Sequence, residues 1–353
     1  MRFSVSTVKD TPENVSRFVS RNLAGGLDHL VVFLDAPDDP ATPEVRALLE
    51  GHEHVTCVLA DDTWWQGRRP SRLNVRQRVN ANLVKALLTY VEPAEWVFHI
   101  DADEVVRLDP EAMRRVPKRA SCIQLAPYEA VSRKTPQADD HTWFKTLLDP
   151  PELTMLQVLG VLDRAHNGAY FHGHVEGKTG VRPATDVWLT LHRPLDEKGT
   201  EIDSYGDPRL RVLHYESPSG EEFVRKWTAL LEAGPMAAFR PAREPTAVAL
   251  QALLGRGLTA EEARPHLMRI FERTTEDDVE TLRSLRLLEQ VDPDQPLSTP
   301  TALPDGERDH LRSLLTAAAQ RPDKGVFHPG KSEADVRQAA AEIAGEPRRR
   351  LWR

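Results

Sequence analysis

A chain of 353 residues exceeds the size of most single domains and can bury one large core or two smaller ones. With 40% hydrophobic and 28% charged residues its composition is globular, and no apolar run approaches membrane-spanning length. The net charge of −8 leaves no overall footprint for nucleic acid, so an anionic substrate must be held by local cations or a metal.

Phe3 to Val8 alternates apolar and small polar residues, which predicts a strand. Thr11-Pro12-Glu13-Asn14 then starts a helix with a capping hydroxyl and an early proline, and Val15, Phe18, Val19 and Leu23 recur at helical spacing up to Gly25-Gly26. Leu30 to Leu34 is a continuous apolar run of the fully buried kind, ending at Asp35, so the opening reads as a βαβ unit with parallel strands. A short helix (Pro43 to Leu49), a third strand (Val55 to Leu59), a loop with Trp64 and Trp65 and a long helix (Leu73 to Tyr90) follow. A fourth strand, Trp96 to Ile100, delivers Asp101. Alternating strands and helices predict an α/β fold.

After Asp109-Pro110 the pattern changes. Ile123 to Tyr128 and Ala169 to Val181 read as strands separated by polar loops without helices. From Ser219 the chain reads as helical: Glu221 to Glu232, Thr246 to Leu254, Ala260 to Thr274 and Thr275 to Gln290, then a proline-rich linker from Asp292 to Pro304 and two last helices. The expected division is a catalytic domain over 1–218 and a helical region over 219–353. Cys57 and Cys122 lie in apolar strands and lack zinc-ligand spacing, as buried thiols of a reducing compartment would. The N-terminus enters a strand directly, so no signal peptide and a cytoplasmic location are expected.

The most informative stretch is Glu95-Trp96-Val97-Phe98-His99-Ile100-Asp101-Ala102-Asp103-Glu104. The carboxyl end of a buried strand is where α/β sheets bind ligands. If the strand continues, Asp101 and Asp103 face one way and offer two hard oxygen ligands to a divalent cation, which in turn neutralises a diphosphate.

The order of strand, helix, strand ending in Asp, helix with Arg76-Gln77-x-x-Asn80, then Trp96 to Glu104 and a later His214-Tyr215 resembles glycosyltransferases of the GT-A fold, in particular the family 2-like and family 92-like groups. The resemblance covers roughly Phe3 to Trp227. It implies a GT-A-like (Rossmann-like), mostly parallel sheet flanked by helices, with the C-terminal helical region appended. It also implies Thr7, Lys9 and Asp35 near the nucleoside, and Gln77 or Asn80 near the donor. Asp103 becomes the metal ligand, Asp101 its neighbour toward metal or ribose, Glu104 an outer carboxylate and His214 the completing imidazole. The cation is Mn²⁺ or Mg²⁺, imidazole favouring the former. The acidic loop Asp35 to Asp39 departs from the small, Ser-rich loop common in family 2 and leaves the nucleotide open between UDP- and GDP-sugars, ahead of dTDP-sugars.

His172-Gly173-His174-Val175-Glu176-Gly177-Lys178-Thr179 nearly spells a phosphate-binding P-loop but has three residues where that motif needs four. Lys178 and Arg182 are instead read as cations for the donor diphosphate, and His172, His174 and Glu176 as the lining of an acceptor pocket. The resembling families invert configuration, which requires one general base; Glu176 is the first choice and Glu216 the second. Trp64, Trp65 and Trp143 are candidates for stacking on sugar or base. The basic Arg348 to Arg353 is a candidate for peripheral membrane contact.

The expected function is transfer of a sugar from a nucleoside-diphosphate-sugar to a hydroxyl acceptor (glycan, glycolipid or small metabolite). The rivals are a nucleotidyltransferase, against which Thr7-Val8-Lys9-Asp10-Thr11 lacks a glycine-rich loop, and a non-catalytic sugar-nucleotide or glycan-binding protein.

Overall fold

The structure, a computed structural model, describes residues 1–232 and 244–346; the basic tail Arg348 to Arg353 lies outside them. The strands in chain order are β1 (Arg2–Val8), β2 (His29–Leu34), β3 (Val55–Leu59), β4 (Trp96–His99), β5 (Glu104–Leu108), β6 (Cys122–Ala130), β7 (Trp143–Lys145), β8 (Lys178–Val181), β9 (Tyr205–His214) and β10 (Leu288–Gln290). Two compact units emerge: residues 1–126, 176–212 and the described part of 293–353, and residues 127–175 with the described part of 213–292.

The first unit is an α/β, Rossmann-like assembly. Its parallel strands run in the order β3-β2-β1-β4. The chain therefore winds outward from β1 through β2 to β3 and then crosses to the other side of β1 for β4. The gap between the carboxyl ends of β1 and β4 is a topological switch point, the place where such sheets bind ligands. β8 extends this block antiparallel to β4, with Gly180 opposite Phe98, and the first half of β6 pairs with β8, Leu125 opposite Lys178.

Side chains alternate between two cores, the mark of a sheet covered on both faces. Phe3, Val5, Val31, Phe33 and Val97 pack with helix Leu73–Leu87 and with Leu311, Leu315, Phe327 and Ala339 of the last segment. Val8, Leu30, Val32, Leu34, Trp96 and Phe98 pack with Val15, Phe18 and Val19 of helix Pro12–Ala24. That helix starts as its sequence predicts: Thr11 caps the Asn14 amide and Pro12 occupies the first turn.

In the second unit, Glu129 and Ala130 of β6 pair antiparallel with β7, and β7 pairs with β10. Helices Gly220–Glu232, Glu244–Leu254 and Ala260–Thr274 share a core that includes Phe223, Trp227, Leu250, Leu267 and Phe271. A second core gathers Val131, Leu156, Tyr170, Phe171, Val279 and Leu288.

Three local expectations are corrected. The polar stretch after β7 does contain helices, Pro150–Val158 and Asn167–Tyr170. The strand expected over Ala169 to Val181 is only Lys178–Val181; the preceding backbone amides of His172 and Gly173 are satisfied by the Glu129 carboxylate and not by a neighbouring strand. The helix expected over Thr275 to Gln290 is helix Val279–Ser284, capped by Asp278, followed by a left-handed Arg286 and then β10. Among the described residues no helix is long and apolar enough to cross a membrane.

Candidate active site

β4 ends at His99, two residues before Asp101. Asp101 and Asp103 are therefore not alternate residues of a strand, as expected, but lie in a tight turn, Asp101 at its start and Asp103 within it, that leads into β5. The turn closes through the Glu104 amide, which donates to the Asp101 carbonyl at 3.1 Å, and through the Asp101 amide, which donates to Glu104 Oε2 at 2.8 Å. Glu104, expected as an outer carboxylate, is 1% exposed and is the internal brace of the turn.

The Asp101 carboxylate is held from two sides. Gln77 Nε2 donates to Oδ1 at 2.6 Å, and Lys178 Nζ donates to Oδ2 at 2.5 Å. Lys178 also lies 3.1 Å from Glu104 Oε2. Burial by itself would lower the pKa of this fully enclosed ammonium, but Asp101 and Glu104 outweigh it and raise the value, so Lys178 stays charged. Lys178 follows Gly177, which has φ +68°; a Cβ there would stand 2.0 Å from the Leu125 carbonyl oxygen, so only glycine lets β8 start here. Arg182 lies at the other end of β8. Because β8 runs against β4, Arg182 sits over the Trp96 ring and donates to Glu95 Oε1 at 3.0 Å, and so the strand does not bring it together with Lys178.

Helix Leu73–Leu87 turns a polar face toward the carboxyl ends of the parallel strands. Residues 76, 77 and 80 fall on one side of it. Asn80 donates to Thr7 Oγ1 at 3.2 Å and accepts from Trp64 Nε1 at 3.3 Å. Arg76 forks onto Asp35, with Nε 2.9 Å from Oδ1 and Nη2 2.5 Å from Oδ2, while Arg69 approaches Oδ1 at 3.2 Å. Thr7, Asp35, Gln77, Asn80, Asp101 and Lys178 thus all lie in one unit at the switch point, joined by hydrogen bonds through the helix. Lys9 is exposed and lies 3.7 Å from Asp39. His99 is fully buried, and neither ring nitrogen makes a hydrogen bond among the described residues; burial, with Lys178 adding to it, lowers its pKa to about 4.

The second unit assembles a separate set of groups. Lys145 Nζ, with no exposure, lies 3.0 Å from both Glu129 Oε1 and Asp277 Oδ1 and donates to the Tyr170 carbonyl at 3.0 Å. Glu129 also accepts from the His172 amide at 2.7 Å and the Gly173 amide at 2.5 Å. Burial opposes ionisation of all three charged groups, yet their mutual attraction lowers the pKa of Glu129 and Asp277, the latter to about 2, and raises that of Lys145. His172 Nε2 lies 3.1 Å from Asp277 Oδ1. His174 stacks on His214 with ring centroids 4.8 Å apart, and His214 Nε2 is 3.4 Å from Glu216 Oε2, which also accepts from Lys226 Nζ at 2.8 Å. Gly173 makes that stack possible, since a Cβ there would meet the His214 ring at 2.3 Å.

His172, His174, His214 and Glu216 are thus gathered in the second unit, while Glu176 belongs to the first and is exposed. Trp64 and Trp65 are buried core residues and cannot stack on a ligand, and Trp143 is covered by the Arg283 guanidinium at 4.6 Å. Glu129, Lys145 and Asp277 were not singled out from the sequence. The available signal was a charge next to apolar neighbours within short strands, as in Phe144-Lys145.

No known family profile and no curated protein matches this chain. Among solved structures it is similar to mannose-1-phosphate geranyltransferase from Thermus thermophilus, at 13% identity over 52% of this chain and 58% of that one, with a TM-score of 0.26. The chain thus spans less than two thirds of that neighbour's length.

Proposed function

We propose that the protein is a divalent-metal-dependent, inverting glycosyltransferase that moves a sugar from a nucleoside-diphosphate-sugar to a hydroxyl acceptor. The observation that carries this reading is the Asp101 to Glu104 turn at the switch point of a Rossmann-like sheet, braced by Gln77, Lys178 and Glu104. A turn of carboxylates held rigid beside a ligand-binding crevice suits a hard cation and the diphosphate it neutralises.

A divalent cation fits the carboxylate chemistry of this turn. Both Asp101 oxygens are engaged by Gln77 and Lys178, which makes Asp101 the residue that fixes the turn; the resemblance assigns Asp103 to the metal. The order of motifs along the chain assigns His214 as the imidazole ligand. When bound, the cation would offset charge on the departing diphosphate. Gln77 and Thr7 would face the donor, and Asn80, itself fully enclosed, would act through the Thr7 hydroxyl it holds. Lys178 would act on the diphosphate through the turn it holds, and Asp35 on the nucleoside side through Arg76.

Calorimetry with UDP-, GDP- and dTDP-sugars, with and without Mn²⁺, tests the reading on wild type and Asp103→Ala. Metal-dependent binding of one nucleotide class, lost in the variant, is expected. A folded wild type that binds no member of the panel would sink it.

A further inference from the structure

A diphosphate held at the switch point of the first unit needs positive charge, and the cations of that unit described so far are taken. Lys178 is bound by Asp101 and Glu104, Arg76 and Arg69 by Asp35, and Arg182 by Glu95, while exposed Lys9 lies 3.7 Å from Asp39. Arg78 differs from all of them. Its guanidinium makes no hydrogen bond and no ion pair among the described residues, although the side chain is partly buried and Nε is enclosed. Arginine does not shed its proton to escape burial, so the enclosed Nε–H calls for an acceptor that the described residues do not supply.

The position of Arg78 says what that acceptor is. It follows Gln77, the residue that holds Asp101, on helix Leu73–Leu87. His99, at the end of β4, stands two residues beyond Val97 and so faces the same helix. The low pKa of His99 comes first from burial, with Lys178 and, less strongly, Arg78 adding to it against Asp101 and Glu104. The charge of Arg78 therefore bears on the carboxyl end of β4, and the two acids there are already bound to Lys178. On its other flank Arg78 bears on His328, whose pKa is lowered by burial and then by Arg78 and Lys331, against the bond from its ring to the Pro329 carbonyl. His328 and Lys331 follow Phe327 in the last segment of the same unit, and Phe327 packs in the core that the helix covers.

We propose that Arg78 binds the diphosphate of the donor directly, its planar fork taking phosphate oxygens. This rests on the glycosyltransferase reading and gives it a contact that Lys178, spent on the turn, does not make. A nucleoside diphosphate in the crevice supplies the anion that the free guanidinium lacks.

The full chain with Mn²⁺ is titrated with UDP, GDP and dTDP by calorimetry, and with uridine, guanosine and thymidine by competition. Arg78→Met removes the charge and the fork but keeps an unbranched side chain. For the nucleotide that wild type binds, this variant is expected to lose about 10- to 100-fold in affinity, the effect of losing a hydrogen bond to a charged group. Its affinity for the matching nucleoside, which has no phosphate, is expected to be unchanged. Its ligand-free Tm is expected not to fall, since the substitution breaks no bond among the described residues. Arg78→Lys keeps the charge without the fork and is expected to bind the nucleotide with an affinity between those of wild type and Arg78→Met. Wild-type affinity for the nucleotide in Arg78→Met, or an equal loss for nucleotide and nucleoside, would overturn the inference. A ligand-free Tm lowered in both variants would make Arg78 a structural residue and overturn it as well. A wild type that binds none of the three nucleotides would instead overturn the function on which the inference rests.

Discussion

Lys178 and Glu104 form an ion pair, 3.1 Å long, in which neither side chain has any solvent exposure. The same ammonium reaches Asp101, so one buried cation holds two of the three carboxylates of the Asp101 to Glu104 turn. Buried pairs are costly to assemble and costlier to break on one side, because the remaining charge has no water to turn to. Lys178→Met should therefore destabilise the protein by about 3–5 kcal/mol, read as a lower urea midpoint. Adding Glu104→Gln removes the stranded charge and should restore part of the loss. A cost below about 1 kcal/mol for the single variant would mean that the ion cluster does not hold the turn.

Asp35 poses a choice between two roles. The sequence resemblance sends it to the nucleoside, whereas the structure gives its carboxylate to Arg76 and Arg69. Asp35→Asn leaves the nearly buried Arg76 guanidinium without its counter-charge, although the carbonyls of Pro70 and Ser71 still accept from it. A loss of about 3 kcal/mol in stability is expected, with a smaller effect on donor binding in the fraction that stays folded. Unchanged stability with a large loss of donor affinity would return Asp35 to direct contact with the ligand.

Gly173 is a steric requirement. An alanine methyl would stand 2.3 Å from the His214 ring and 2.6 Å from Glu129 Oε2, and both neighbours are buried. Overpacking of this kind costs about 1–3 kcal/mol. Gly173→Ala should lower Tm and shift the ring resonances of His174 and His214, which the stack now couples. Unmoved His174 and His214 resonances would show that the loop has room to spare.

The parallel core was legible because its signals are local. The unbroken apolar run of β2 and the capped helix before it state a βαβ unit without help from distant residues. The switch point could also be read, since an apolar strand ending in acids has few other meanings in an α/β fold. What Arg76, Gln77 and Asn80 do was not legible. Polar residues on a helix read as a solvated face until their partners Asp35, Asp101 and Thr7 are known, and those lie 41, 24 and 73 residues away. The loop around His172 was misread as strand for a related reason: its amides are satisfied by a carboxylate 43 residues earlier, a bond that no local pattern announces. Asp277, 105 residues after His172, sits in a segment that otherwise reads as helix.

Two buried histidines set an acid limit on the first unit. Burial lowers the pKa of His99 to about 4 and that of His29 to about 3, against 6.5 when unfolded. Below pH 6.5 the unfolded chain binds protons that the folded chain refuses, so stability falls as pH drops. For each histidine the loss accrues at about 1.4 kcal/mol per pH unit and ends near its folded value. Urea midpoints measured from pH 7 to pH 4 should decline accordingly. His99→Phe should flatten the decline between pH 6.5 and 4; an unchanged slope would place the acid sensitivity elsewhere.

Asp101 and Asp103 should respond oppositely to a cation. Asp101 already spends both oxygens on Gln77 and Lys178, so its loss is a loss of structure. Asp101→Asn is expected to lower Tm in the absence of metal and to keep a Mn²⁺-induced rise. Asp103, assigned to the metal, should behave differently: Asp103→Ala loses the rise, measured from the variant's own metal-free Tm. A ligand that binds only the folded state stabilises it by about 2.7 kcal/mol at a hundredfold excess over Kd, so the shift in wild type is large enough to measure by thermal denaturation. Chelation should return wild type to its metal-free Tm. A Mn²⁺ shift that survives in Asp103→Ala and vanishes in Asp101→Asn would exchange the two roles, and the bond from Lys178 to Asp101 would then have to open when the cation binds.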